Sequence, residues 1–108
     1  MSYTTSILLL LCAACLEAGG DALMRQGLHS TAATRIAYFV AGGIVLTLYG
    51  WAVNAPPWDF GRLLGVYVAF FFVVAQVIAW AAFGHPPTTR VLLGGALIIA
   101  GGVIISGA

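Results

Sequence analysis

The chain contains uncharged apolar runs that are long enough to cross a lipid bilayer. One extends from Ile36 to Val53, and another extends from Leu63 to Phe83 with Gln76 as its one polar interruption. A spanning helix takes roughly 20 residues. Peptide groups left unpaired in hydrocarbon are costly, so only helices and closed barrels span a membrane, and these runs lack the alternation of barrel strands. The sequence therefore predicts an all-α integral membrane protein.

Two further apolar segments complete the predicted architecture. The first helix is expected to begin near Thr4 and end near Gly27, and the fourth span covers about Thr88 to Ala108. The predicted link between the first two helices extends from Leu28 to Thr34, and proline pairs follow the second and third spans because proline cannot continue a helix. Residues 1–108 are thus predicted to form a single four-helix transmembrane domain.

The composition excludes several classes of function. Hydrophobic residues make up 62% of the chain and charged residues 6%, and the four basic residues are all arginine. With no basic patch, we expect no nucleic-acid partner. We expect no metal and no cofactor, since no cluster of ligands surrounds His85, and no enzymatic activity, since no nucleophile and base are paired. Cys12 and Cys15 are predicted to pack as small hydrophobes.

The arginines indicate the orientation of the chain in the membrane. Arg25, Arg35 and Arg90 flank the first and third loops, whereas Arg62 flanks the second. Because loops rich in arginine and lysine stay in the cytoplasm, this bias favours both termini outside. The margin of three to one also suits a protein that inserts in both orientations. Both topologies therefore remain open.

The second half of the first helix carries ionisable residues. Glu17, Asp21 and Arg25 are spaced i, i+4, i+8 and line one face. Small residues, expected to leave room there, lie alongside: Ala13, Ala14 and Gly20. An ionisable group in the membrane costs at least about 2.5–3.5 kcal/mol on insertion scales, so it needs a partner, a cavity or a proton. Asp21 and Arg25 are expected to pair near the helix end, which leaves the deeper Glu17 as the best candidate site.

A membrane-embedded carboxylate can couple two movements. If Glu17 binds a cation when ionised and releases it when protonated, substrate transport is coupled to proton transport. On the third helix, the stripe of Tyr67, Phe70, Phe71 and Val74 offers aromatic faces to a cation or fills a membrane core. Tyr67 and Gln76 lie nine residues apart on opposite faces, so only one of them can share the cavity of its own subunit.

Paired glycines mark the fourth helix. Gly94-Gly95 and Gly101-Gly102 are seven residues apart and lie on one face, where another helix can approach closely. Such a face serves either packing within one chain or a dimer interface. The spacing favours the dimer interface.

These residues match a known pattern. The segment Glu17-x-x-Gly20-x-x-Leu23-Met24-Arg25 resembles the first-helix motif of the small multidrug resistance family, within the drug/metabolite transporter superfamily, and the resemblance spans the whole chain. In that family the glutamate binds substrate and protons, and a lysine stands where this chain has Arg25. Counting from Phe83-Gly84, Tyr67 falls at a substrate-contacting tryptophan, and Gly94 and Gly101 fall on the dimerisation glycines.

The resemblance implies a transporter that exports a small cationic or amphipathic substrate against protons by alternating access. It implies a dimer, homomeric or heteromeric and parallel or antiparallel, in the plasma (bacterial inner) membrane. Glu17, Asp21, Tyr67 and Arg25 would bind substrate and protons. The chain departs from the family at Ala69 and Phe71, which replace two glycines, and at the additional acid Asp21, so the substrate stays open.

Two other functions remain open. The chain is also similar to paired small subunits that flip aminoarabinose-modified lipid carriers, through Gly20, Arg25-Gln26 and Pro87-x-x-Arg90-x-x-x-Gly94. In a flippase or flippase subunit, Arg25 would hold a phosphate. Those relatives generally lack the first-helix glutamate. A noncatalytic assembly subunit, in which the polar stripe joins helices, is the third possibility.

Overall fold

The chain forms four helices joined by short loops in the computed structural model, which describes residues 1–107. The helices are α1 (Tyr3–Leu28), α2 (Ala32–Asn54), α3 (Phe60–Phe83) and α4 (Thr89–Ile105). The predicted all-α class and the count of four helices are confirmed. The first loop is shorter than predicted, with residues 29–31 only, and α3 begins at Phe60 rather than Leu63. The predicted end of the fourth span, Ala108, lies outside the described residues.

Three of the helices are long and apolar enough to cross a membrane. These are α1, α2 and α3, with 26, 23 and 24 residues. With 17 residues, α4 is apolar but shorter, about 26 Å at 1.5 Å per residue. This length is at the lower limit of membrane-spanning helices, roughly 17–25 residues.

Local signals set the helix ends. Ser2 and Thr88 cap α1 and α4, because each side-chain oxygen accepts a backbone N–H of the first turn. At the other end of α3, Gly84 has a φ of 67°, a left-handed conformation that costs glycine nothing. Pro86 and Pro87 follow and keep the third loop from continuing the helix.

Two arginines donate hydrogen bonds to backbone carbonyls at the ends of neighbouring helices. The Arg35 guanidinium, in the first turn of α2, donates at 3.0–3.2 Å to three backbone carbonyls, those of Gly27 and Leu28 at the end of α1 and that of Ser30 in the first loop. On the opposite side of the molecule, Arg62 donates to the Ser106 carbonyl at 2.8 Å and lies 5.0 Å from the centre of the Trp58 ring. Carbonyls at a helix C-terminus lack partners within the helix, so these contacts satisfy groups that hydrocarbon would penalise.

The helices pack in the order α2, α1, α3, α4. The middle helix α1 packs against α2 and α3, and α4 packs against α3. Within residues 1–107, no packing of similar extent joins α4 to α1 or α2, so the helices do not close into a ring. Four helices packed in such an open series cannot surround a pathway on all sides.

Small residues let α1 approach its neighbours closely. A Cβ atom on Gly20 would lie 2.7 Å from Leu46 Cδ2 and 3.4 Å from the Gly42 carbonyl oxygen of α2. Ala13 and Ala14 have no exposed surface. The expectation that these small residues leave room beside Glu17 is therefore wrong, because neighbouring helices fill the space, as at close contacts between membrane helices.

The helices expose many large apolar side chains on the outside of the chain. Large side chains at helical spacing are exposed along α2: Ile36, Val40, Ile44, Leu48 and Trp51. Such a face suits contact with lipid tails. Cys12 and Cys15 are free and exposed, so the prediction that they are packing residues is wrong within a single chain. Their face of α1 is turned away from the helix contacts that bury Ala13 and Ala14.

The close α1–α2 contact predicts opposite effects at two adjacent glycines. Gly20→Ala should lower the free energy of unfolding by about 1–3 kcal/mol, because the added methyl group meets Leu46. Gly19→Ala should raise it by up to about 1 kcal/mol, because no atom lies within 4 Å and alanine favours helix. Unfolding in mixed micelles titrated with sodium dodecyl sulfate measures both. Equal effects of the two variants would contradict this packing.

Candidate functional site

A hydrogen bond joins the two principal candidate residues. The Tyr67 hydroxyl on α3 donates to Glu17 Oε1 on α1 at 2.8 Å. Tyr67 is buried, with 4% of its surface exposed, and Glu17 is half-buried. A carboxylate has capacity for about four hydrogen bonds, so Tyr67 orients the group without saturating it.

The packing around this bond explains its position. Ala14, one turn before Glu17, is fully buried, and its small side chain lets α3 approach α1. On α3, Leu63 and Val66 are buried beside Tyr67 in the same apolar cluster. The Tyr67 hydroxyl therefore lies in apolar surroundings, where it needs a partner within the protein, and Glu17 is that partner.

Aromatic rings from two helices surround Tyr67. The Tyr49 ring of α2 lies 5.8 Å from the Tyr67 ring, and the Phe71 ring lies 6.2 Å from it. Sequence reasoning missed Tyr49, although a hydroxyl inside an otherwise apolar span signals a need for a partner. Gln76 instead lines a groove between α3 and α4. Of the two polar residues on α3, Tyr67 is thus the one that faces its own subunit's carboxylate.

The predicted ion pair between Asp21 and Arg25 does not form. Residues 1–107 contain no contact between the two charged groups short enough for an ion pair. The Arg25 guanidinium instead lies over the Phe83 ring, 5.5 Å from its centre, which is within the range of a cation–π interaction. The expectation failed because spacing along one helix says nothing about an aromatic ring at the end of another.

An open cavity separates the second halves of α1 and α3. Its volume is about 320 Å³, and the polar groups on its lining are Asp21, Arg25 and His85. The remaining lining is apolar: Ala18, Ala22, Phe71, Ala75, Ile78, Ala79 and Phe83. His85, which is exposed in the third loop, stacks on Phe83 with ring centres 6.3 Å apart. The structure thus places two of the four predicted binding residues, Asp21 and Arg25, on this cavity, and brings the other two, Glu17 and Tyr67, into contact with each other.

The α4 glycines divide into two pairs with different surroundings. A Cβ atom on Gly102 would lie 2.9 Å from Ala69 Cβ, and one on Gly95 would overlap the Phe72 ring, so this pair packs against α3. Gly94 and Gly101 have no atom within 4 Å of such a position. Packing within the chain therefore uses Gly95 and Gly102. Gly94 and Gly101, which were predicted to form the dimer interface, face outward.

The sequence is similar to one family of membrane proteins. The sequence pattern of the family described as "Uncharacterised BCR, YnfA/UPF0060 family" matches residues 3–108. A UPF0060 membrane protein of Kineococcus radiotolerans is 40% identical over 106 residues, which cover 95% of this chain and 91% of the relative. One of Mycobacterium marinum is 36% identical over 102 residues, covering 93% and 91%. One of Clostridium beijerinckii is 29% identical over 107 residues, covering 97% and 95%. No solved structure matches.

The bond between Tyr67 and Glu17 predicts energetic coupling. In a double-mutant cycle of Tyr67→Phe, Glu17→Gln and the double variant, the coupling energy should be about 1.5–3 kcal/mol, as for hydrogen bonds to charged groups. Unfolding in mixed micelles provides the four free energies. Tyr38→Phe, an aromatic hydroxyl on α2 outside this cluster, serves as the control and should show no coupling to Glu17→Gln. Additive effects of Tyr67→Phe and Glu17→Gln would exclude the bond.

Proposed function

The chain belongs to the YnfA/UPF0060 family of small membrane proteins, and we propose that it is a proton-coupled exporter of a small cationic or amphipathic substrate. It would work by alternating access, as its resemblance to the small multidrug resistance family implies. The observation that carries the proposal is the hydrogen bond from Tyr67 on α3 to Glu17 on α1, two helices that are both long and apolar enough to span a membrane. Enzymatic activity is not part of this proposal.

The chemistry of Glu17 suits exchange of a cation for a proton. Ionisable residues inside a membrane mark ion and substrate pathways, because their cost is tolerated only for function. Tyr67 holds one carboxylate oxygen at 2.8 Å and leaves acceptor capacity for a cation or a proton. The half-buried Tyr49 and Phe71 rings, which flank Tyr67, offer a cation aromatic faces near the carboxylate. Binding of a cation at Glu17 thus competes with binding of a proton there.

Alternating access requires more than one copy of the chain. The four helices of one chain pack in an open series and leave Glu17 only half-buried, so they do not enclose a pathway around it. A second copy, in either orientation, would supply a further wall and a second Glu17, as in transporters whose binding sites lie between repeats. The outward glycines Gly94 and Gly101 offer the second copy a surface for close helix contact. We therefore propose a dimer, with homodimers and heterodimers both compatible with this surface.

One observation favours the second candidate, a flippase for a lipid-linked substrate. Arg25 has no carboxylate partner in residues 1–107 and lines the open cavity, where its guanidinium is available to a phosphate. An apolar groove of about 420 Å³ between α1, α3 and α4 offers a surface for a lipid chain. The proton-release experiment below separates the two candidates, because the flippase reading requires no proton exchange at Glu17.

The exporter proposal predicts that substrate displaces protons from Glu17. Small organic cations added to wild-type protein in weakly buffered detergent should lower the pH, and Glu17→Gln should abolish the change. Asp59→Asn removes an exposed carboxyl from the second loop and should leave proton release unchanged. A pH electrode or indicator dye measures the effect. Equal release by wild type and Glu17→Gln, or cation binding without release, would refute the exporter.

The dimer proposal predicts selective loss of association. Replacing both outward glycines, as Gly94→Leu with Gly101→Leu, should convert dimers to monomers while helix content stays unchanged. Gly43→Leu adds the same side chain to an outward glycine of α2 and should leave the dimer intact. Cross-linking in membranes and light scattering in detergent report the state. Monomeric wild type, or a dimer that persists in the double variant, would contradict the proposal.

A further inference from the structure

Two opposite charges share the cavity between α1 and α3 without neutralising each other. Asp21 and Arg25 lie one helical turn apart, about 6 Å along the axis of α1, and both line the cavity. This spacing commonly allows an ion pair, yet none forms between them in the described chain. Both side chains are exposed. Each charge is therefore available to a ligand.

Phe83 keeps the guanidinium at the cavity wall. Arg25 lies over the face of the Phe83 ring at 5.5 Å, and the neighbouring His85 ring also stacks against Phe83. A cation–π contact uses the flat face of the guanidinium, whereas its five N–H groups point outward in the plane. No acceptor for these N–H groups occurs within residues 1–107. They remain free to bind an anionic oxygen.

The cavity has room for a small organic group. The helix faces on either side of Asp21 carry alanine, namely Ala18 and Ala22 on α1 and Ala75 and Ala79 on α3. The volume of about 320 Å³ is roughly ten times the share of one water molecule in the liquid, about 30 Å³. The space is thus large enough for a small molecule or a lipid headgroup.

We propose that this cavity binds a zwitterion, with its ammonium group on Asp21 and its phosphate or carboxylate on Arg25. A simple cation would leave Arg25 unpaired, and a simple anion would leave Asp21 unpaired. Either ligand is unfavourable, because a charge without a partner is costly in an apolar wall. A zwitterion satisfies both at once and brings no net charge into the membrane. The site is separate from the Glu17 carboxylate and does not depend on the transport proposal, since its test measures binding and no proton movement.

Calorimetry on the purified full chain in dodecyl maltoside tests the proposal with three matched probes. These are glycerophosphocholine, its cationic half choline and its anionic half dimethyl phosphate. Glycerophosphocholine should bind at least about tenfold more tightly than either half, because it gains a second charge-assisted contact. Asp21→Asn and Arg25→Gln should each weaken its binding at least about tenfold. Asp59→Asn and Arg90→Gln, which remove the same charges outside the cavity, should match wild type.

The outcomes separate the proposal from its competitors. Choline binding as tightly as glycerophosphocholine, with no effect of Arg25→Gln, would show a cation site and overturn it. Tight binding of dimethyl phosphate that survives Asp21→Asn would overturn it in favour of an anion site, and absence of binding would also overturn it. Native mass spectrometry with phosphatidylcholine identifies the source of the zwitterion. Lipid binding that needs both charges supports a headgroup, and binding of glycerophosphocholine alone supports a free solute.

Discussion

The structure depends on one constraint: a polar side chain inside a membrane needs a partner there. The bond from Tyr67 to Glu17 satisfies this constraint across α1 and α3, and the fully buried Ala14 beside it allows the helices to meet. The same constraint explains why Arg35 and Arg62 donate to carbonyls at helix ends. In these three contacts, polar groups are satisfied by neighbouring elements, whereas the buried Ser6 Oγ has no hydrogen-bond partner within residues 1–107.

Close contacts then determine the shape of the chain. Gly20 brings α2 against α1, and Gly95 and Gly102 bring α4 against α3, so α4 packs mainly on α3 and the series of helices stays open. This packing buries little of α4 and leaves Gly94 and Gly101 uncovered. The proposed dimer is consistent with this geometry, because four helices packed in an open series do not enclose a pathway around the candidate carboxylate of Glu17.

The apolar runs were sufficient to predict four helices, since hydrocarbon leaves a long uncharged segment few alternatives. Glu17 and Tyr67 could be selected as candidates because each needs a partner, but their contact depends on the packing order of the helices. Local spacing was misleading for Asp21 and Arg25, where Phe83 of another helix competes for the guanidinium. Spacing alone also could not divide the α4 glycines into two pairs. Contacts between distant segments decided each of these cases.

Isotope-edited infrared spectroscopy in lipid bilayers tests whether the Glu17 carboxyl group loses a proton when substrate binds. Difference spectra with and without a small organic cation report whether this group is protonated or ionised. We expect substrate to convert a protonated carboxyl band to carboxylate bands and Glu17→Gln to remove the change. Tyr67→Phe should shift the carboxylate bands, because their hydrogen bond is lost. Identical spectra with and without substrate, or bands unchanged by Tyr67→Phe, would contradict these expectations.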